Sequence, residues 1–319
     1  MLSLVQTENN DTGLANGKIV RKEENSFGNA YTLHIADIPL RHQTLNTRWV
    51  MRKFTMVSSN QNNCGCTYLS SNALFNGIVL GQNEAYDAEK VPVWRFCKST
   101  DVRDGIRLNL GNMCGGYSFD MYGHRFFTSE SAYLCGEFSQ GSKEAGTVQR
   151  ALLLETNGWD AKKEIKKPHV QLIRGDWGDF MLQWMLLVVW CKCKGNKRFA
   201  KKLMSIPEEV VIVEDSTFQT GPTSKVWGCK NKALRKAYLE LKRHLEEEGL
   251  SPTEAKEKAG KQMICFDRGI WEGQNNMGKV LKMCQLALLH GVEPPICYDK
   301  LREHGIYWFG RKLTFQEAA

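Results

Sequence analysis

The longest apolar run in the chain, Phe180 to Cys191, limits the folds open to everything around it. Phe180, Trp184, Leu187, Val188 and Cys191 form one stripe at helical spacing, and Leu182, Leu186 and Val189 occupy the opposite side. A helix apolar nearly all round needs protein on every side of it. The run contains Gln183 and is too short to cross a bilayer, so it reads as a central core helix over about 177–193, with no membrane partner. Asp176 stands at the N-cap position, with Asp179 three residues on as an approximate capping box. The 319 residues suffice for one large domain or two modest ones.

The rest of the pattern predicts an α+β protein, mostly helical, with short strands. Residues 1–28 are polar and Asn/Glu-rich and read as a flexible tail. Residues 29–104 read as a β-rich N-terminal region of unknown role, either a small domain or a layer on the main one. Its strands are expected near Tyr31–Ile35, Trp49–Val57 and Val91–Phe96, with a loop at Asn60–Gly65. The main domain is expected over 105–319. Strands are predicted at Ile106–Leu110, within Tyr117–Phe127 and at Val210–Val213, and helices at about 129–139, 143–154, 160–166, 168–173 and 196–204. Residues 229–262 read as a solvated helical insertion. Asn231–Glu248 is highly charged, and Ser251-Pro252-Thr253-Glu254 has the form of a capping box with proline at the first helical position.

The helix start Thr128-Ser129-Glu130 carries the first chemical signal. Thr128 can cap free amides, and the helix dipole favours an ionised Glu130. Capping alone would also place an acid here. Glu214 is the second carboxylate, emerging where the Val210–Val213 strand ends. Trp177 and Trp227 are candidates to wall a pocket or stack on a base. Gly273-x-Asn275-x-x-Gly278 opens another helix, whose free N–H groups can hold a phosphate, with Asn275 as its cap or a ribose ligand.

Taken in order, Asn112, Thr128-Ser129-Glu130, Trp177, Glu214, Trp227-Gly228 and Gly273-x-Asn275-x-x-Gly278 resemble the NADAR (YbiA-like) family over about residues 106–292. The resemblance implies an N-glycoside hydrolase that cleaves a ribosyl C–N bond, in ribosylamine phosphates or in ADP-ribosylated guanine or nucleic acid. It implies no cofactor and no metal. Glu130 and Glu214 are then the catalytic pair. Asn112, Trp177, Trp227, Gly228, Gly273, Asn275 and Gly278 are the substrate-binding residues. In the commoner form of the helix motif, a histidine stands where this chain has Ser131 and a lysine where it has Glu137. Glu137 lies two turns past Glu130 on the same face, about 10 Å along. A lysine there can touch a phosphate, and a glutamate would repel one. The rival readings are a binding module for NAD or ADP-ribose without turnover, and a nucleic-acid-binding, base-removing enzyme.

Charge and cysteines leave those readings open. The formal charge is +8, with basic clusters at Lys162, Lys163, Lys166 and Lys167, at 192–202, and at 230–236; these suit a phosphorylated small molecule or nucleic acid. Eleven cysteines at irregular spacing, with no secretory leader, predict reduced thiols in the cytoplasm. Cys191 and Cys193 point apart on a helix and cannot share a metal. Cys64 and Cys66 could do so only in a strand or turn.

Overall fold

The computed structural model describes residues 73–315, together with the backbone of two strands, β1 (Lys18–Glu24) and β2 (Tyr31–Asp37). The chain divides into two compact units, Met1–Thr47 and Arg48–Ala319. In the first unit β1 and β2 pair antiparallel, Lys18 facing Asp37 and Glu24 facing Tyr31. β1 therefore lies inside the expected flexible tail, which is a correction. The expected strand at Trp49–Val57 and the loop at Asn60–Gly65 fall outside the described residues.

The second unit is α+β, and helix predominates. Its axis is α3 (Trp177–Gly195), wrapped as its composition requires. The helices α1 (Ser129–Glu137), α4 (Lys197–Met204) and α8 (Asn276–His290) pack on it. Trp184 is fully buried at the contact with α1, its indole N–H donating to the Ala132 carbonyl at 3.3 Å. A Cβ on Gly136 would lie 2.4 Å from Trp184 Nε1, so only glycine lets the two helices meet this closely. Asp176 is not the expected cap. Its side chain makes no bond to the start of α3. Arg174 and His304 hold its carboxylate instead, at 2.5 and 2.8 Å, and the Arg174 bonds in particular pull its pKa down to about 2. A side chain held by Arg174 and His304 outside the helix is not free to cap it.

The strands correct the expected boundary at 104/105. β4 (Val93–Phe96) runs parallel to β9 (Val211–Glu214), with Phe96 opposite Glu214. β3 (Glu84–Asp87), β11 (Ile270–Gly273) and β10 (Cys229–Asn231) form a three-stranded antiparallel sheet. Residues 84–96 are thus woven into the main unit. Tyr86, Val91, Val93, Val211, Val213 and Trp271 form a second small core between these strands.

The insertion folds as two helices, α6 (Lys232–Glu247) and α7 (Pro252–Gln262), and the Ser251/Glu254 capping box is present. Cys229–Asn231 belongs to the sheet rather than to the insertion. Among the described residues no helix is long and apolar enough to cross a membrane.

Candidate functional site

The two carboxylates picked from sequence come from separate elements and lie near enough for the charge of Glu130 to act on Glu214. Thr128 caps α1 by accepting the Ser131 amide at 3.1 Å, so Glu130 occupies the first turn. The Glu130 amide donates to the Asn112 carbonyl at 3.2 Å, tying this turn to the preceding loop. Glu130 is 6% exposed, and burial pushes its carboxyl up to about 7, against the opposing pull of Lys162 and Lys166. Glu214 ends β9. Some of its surface reaches solvent, yet dense protein around its carboxyl, and then the charge of Glu130, raise it as well to about 7.

What surrounds Glu214 explains most of the glycine and asparagine pattern. Asn275 has left-handed backbone (φ +50°) and does not cap α8. Its side chain bridges β9, Nδ2 donating to the Ile212 carbonyl at 2.8 Å and Oδ1 accepting the Glu214 amide at 3.1 Å. Asn275 therefore holds the backbone at Glu214 and is not the expected cap. A Cβ on Gly278 would lie 2.1 Å from the Ile212 carbonyl, one on Gly228 2.4 Å from the Glu214 carbonyl, and one on Gly273 2.4 Å from the Gly228 carbonyl. These glycines let α8, β9, β10 and β11 close on one another behind Glu214. Such close approach of backbone is a physical reason for glycine distinct from phosphate binding.

Aromatic rings join the pieces. Tyr133 on α1 packs against Trp177 at 5.1 Å and edge-on against Trp227 at 5.4 Å. Trp227 ends the short helix α5 (Ser224–Trp227), next to Gly228. Asn112 directs its Nδ2 to the Met185 sulfur at 3.0 Å, while its Oδ1 is buried without a partner. Glu130, Glu214, Asn112, Trp177 and Trp227 thus gather at one place, and Gly228, Gly273, Asn275 and Gly278 build the support for Glu214.

Sequence reasoning missed what the segment 158–172 does. A turn at Gly158–Asp160 runs into a π-helix, Ala161–Lys166, and then a 3₁₀ turn, Lys167–Leu172. Gly158 sits against Met113 and Glu130, where a Cβ would lie 2.8 Å from the Met113 backbone. Lys162 and Lys166 face the carboxylates, and Lys166 donates to Glu137 Oε1 at 2.7 Å. On its outer side the segment forms a groove of about 430 Å³ lined by Trp159, Lys162, Lys163, Lys166, Lys167 and Val170. Trp159 is 66% exposed, an uncommon state for so large a ring. The only signal in sequence was the lysine cluster itself.

A second cluster loses a member. Lys192 is 1% exposed, donates to Ser129 Oγ at 3.2 Å and lies 4.0 Å over the Phe199 ring, and burial pulls its pKa down to about 8. It props the start of α1 and is closed to any surface anion. Among the described residues no group of three or more His, Cys, Asp or Glu side chains is disposed to hold a metal. Cys64 and Cys66 lie outside the described residues. No protein-family model matches the chain, and no curated protein matches it.

Proposed function

We propose that the chain is an N-glycoside hydrolase of the NADAR type, which adds water across a ribosyl C–N bond of a nucleotide-like substrate. The observation that carries this reading is the pairing of Glu130 and Glu214, two carboxyls from different elements, both raised to about 7. Carboxyls so poised share one proton near neutral pH, which suits an acid and a base acting in turn. Lys162 favours ionisation of both carboxyls; Lys166 adds to this at Glu130, against Glu137, whereas the charges of Glu130 and Asp215 oppose it at Glu214. Glu130 therefore stabilises positive charge at the ribosyl carbon and takes a proton from the attacking water. Glu214 gives its proton to the departing nitrogen. The C–N bond breaks, a C–O bond forms, and the two carboxyls end with their protons exchanged. Solvent resets them. This chemistry needs no metal and no cofactor. Trp177, Tyr133 and Trp227 supply apolar surface for a planar leaving group.

A nucleic-acid-linked substrate is the second reading, favoured by the groove. Four lysines beside exposed Trp159 and Val170 suit phosphates and a stacked base. Nine described cysteines are free, Cys97 and Cys265 exposed among them, and a reducing cytoplasm suits them.

The test is mass spectrometry of released base from ribosylamine phosphates, NAD, ADP-ribosylated guanine and ADP-ribosylated DNA. Glu130→Gln and Glu214→Gln should each lose turnover by about a hundredfold or more while still binding ligand. Full activity in either variant excludes the mechanism. Ligand binding without turnover in the unaltered protein leaves the binding module in its place. Loss of affinity with salt for the DNA substrate alone, reduced by Lys163→Ala and Lys167→Ala, would assign the groove to the nucleic acid.

A further inference from the structure

Glu137 is a third carboxylate on the inner face of α1, and the proposed reaction leaves it unused. Its side chain is 3% exposed. Lys166 bonds Oε1 at 2.7 Å, whereas Oε2 is buried and receives no hydrogen bond. Trp177 also lies against this carboxylate and, like Lys166, favours its ionised form. Glu137 is close enough for its charge to act on both Glu130 and Tyr133. Asn112, whose backbone carbonyl accepts the Glu130 amide, carries a second buried acceptor without a partner, Oδ1.

A buried acceptor is costly unless a donor reaches it. Two of them in the neighbourhood of the proposed reactive carboxylate call for donors on the substrate. Lys162 and Lys166 already supply positive charge there, so a neutral O–H suits the place better than a further cation. On a ribosyl group, the hydroxyl next to the reacting carbon is such a donor. A hydrogen bond from it to a carboxylate strengthens as positive charge develops at the ring.

We propose that Glu137 is a specificity-determining residue whose Oε2 accepts a hydrogen bond from the 2-hydroxyl of ribose, so that the site takes ribosyl and rejects 2-deoxyribosyl groups. Lys166 is its positioning residue, fixing the carboxylate through Oε1. This rests on the carboxylate pair marking a ribosyl site, but it is read by binding and not by turnover.

Calorimetric titration with ribose 5-phosphate and with 2-deoxyribose 5-phosphate tests it. The unaltered protein should bind the ribose compound at least about tenfold tighter, since a site built to pair a hydroxyl discriminates strongly against its loss. Glu137→Leu should bring the two affinities within about twofold of each other. Lys166→Met, at a half-buried position, should narrow the ratio while the fold is kept; it decides the matter if Glu137→Leu does not fold. Equal affinity for the two sugars in the unaltered protein, binding of neither, or an unchanged ratio in Glu137→Leu or, where that does not fold, in Lys166→Met overturns the assignment. Each of those outcomes leaves the hydrolase reading to be judged separately, by base release in Glu130→Gln and Glu214→Gln.

Discussion

Helix α1 and the hairpin of α6 and α7 use helical sequence in opposite ways. All nine residues of α1 are buried, Glu130 and Glu137 included. Of the sixteen residues in α6, only Leu234 and Leu245 are buried. The hairpin holds itself together with a small cluster of Leu245, Ala255 and Ala259, and lays i,i+4 pairs such as Arg243–Glu247 along its solvent face. Each such pair contributes a few tenths of a kcal/mol. The first helix concentrates packing and charge where neither can relax. The second spreads them where water absorbs any change. The same substitution should therefore have opposite consequences in the two places.

Glycine to alanine makes the sharpest contrast. In α1, a Cβ at Gly136 would lie 2.4 Å from Trp184 Nε1, and the Trp184 ring is enclosed on all sides. Gly136→Ala is expected to cost about 3 kcal/mol or more, or to abolish folding, because an overfilled core forces apart elements that cannot move singly. Chemical denaturation of the purified variant measures this. Near-native stability would mean that the α1–α3 contact is looser than described.

The next largest effect concerns charge. Burial holds the Glu130 carboxyl at about 7 in the folded protein, above its ordinary 4.5. The folded state thus binds more protons than the unfolded chain between those values. Stability falls as pH rises from about 4.5 through about 7 and is level beyond, which is the sign expected for a raised carboxyl. Glu130→Gln removes that loss. Its stability should equal that of the unaltered protein below about pH 4.5 and exceed it by roughly 3 kcal/mol at pH 8. The same variant should lower the Glu214 pKa, since the Glu130 charge helps to raise it. Carboxyl carbon chemical shifts followed by NMR against pH would read both. A Glu214 titration unmoved by Glu130→Gln would separate the pair and remove the ground for shared proton chemistry. If the proposed hydrolysis is what the unaltered protein does, its kcat/KM should be bell-shaped in pH with its maximum near 7.

Excising residues 235–260 and closing with a short Gly/Ser link breaks the comparison from the other side. Both ends of the excision are set by contacts. Leu234 packs into the second core, and the Met263 carbonyl accepts two bonds from Arg95, which also pairs with the buried Asp215 at 2.8 Å. With these retained, the loss should be about 1 kcal/mol, or a Tm lower by roughly 3 °C, as read by thermal melts. An unfolded product would show that the hairpin supports β9 and so the site.

These differences track what was legible in the sequence. Periodicity is local, so the helix expected at about 143–154 is found at Lys143–Leu154, and α3 was legible from its composition alone. Glu214 at a strand end was equally local. What stayed hidden depends on which backbone approaches which. Gly228, Gly273 and Gly278 read as ligand-binding glycines in sequence; each also stands against a backbone carbonyl, of Glu214, Gly228 and Ile212 respectively. Asn275 looked like a cap because it precedes a helix, while its left-handed backbone turns its side chain onto β9. The pairing of β4 with β9 crosses more than a hundred residues, and no pattern within either strand marks it. The approach of Lys162 and Lys166 to buried acids depends on a π-helical turn that lysine spacing does not announce.

The smallest expected effect tests the solvated side of the comparison most directly. Gly260 lies inside α7, where a Cβ would meet only the Lys98 ammonium at 3.7 Å, an ordinary contact with the end of a flexible chain. Nothing in the folded state resists a methyl group there. The unfolded chain loses conformational freedom when glycine is replaced, and alanine is the better helix former by nearly 1 kcal/mol. Gly260→Ala should therefore raise stability by about 0.5–1 kcal/mol with turnover unchanged, opposite in sign to Gly136→Ala although both glycines sit in helices. A melt that moved down instead of up would mean that α7 is packed against something on that face, and the hairpin would then be no longer the tolerant half of the pair.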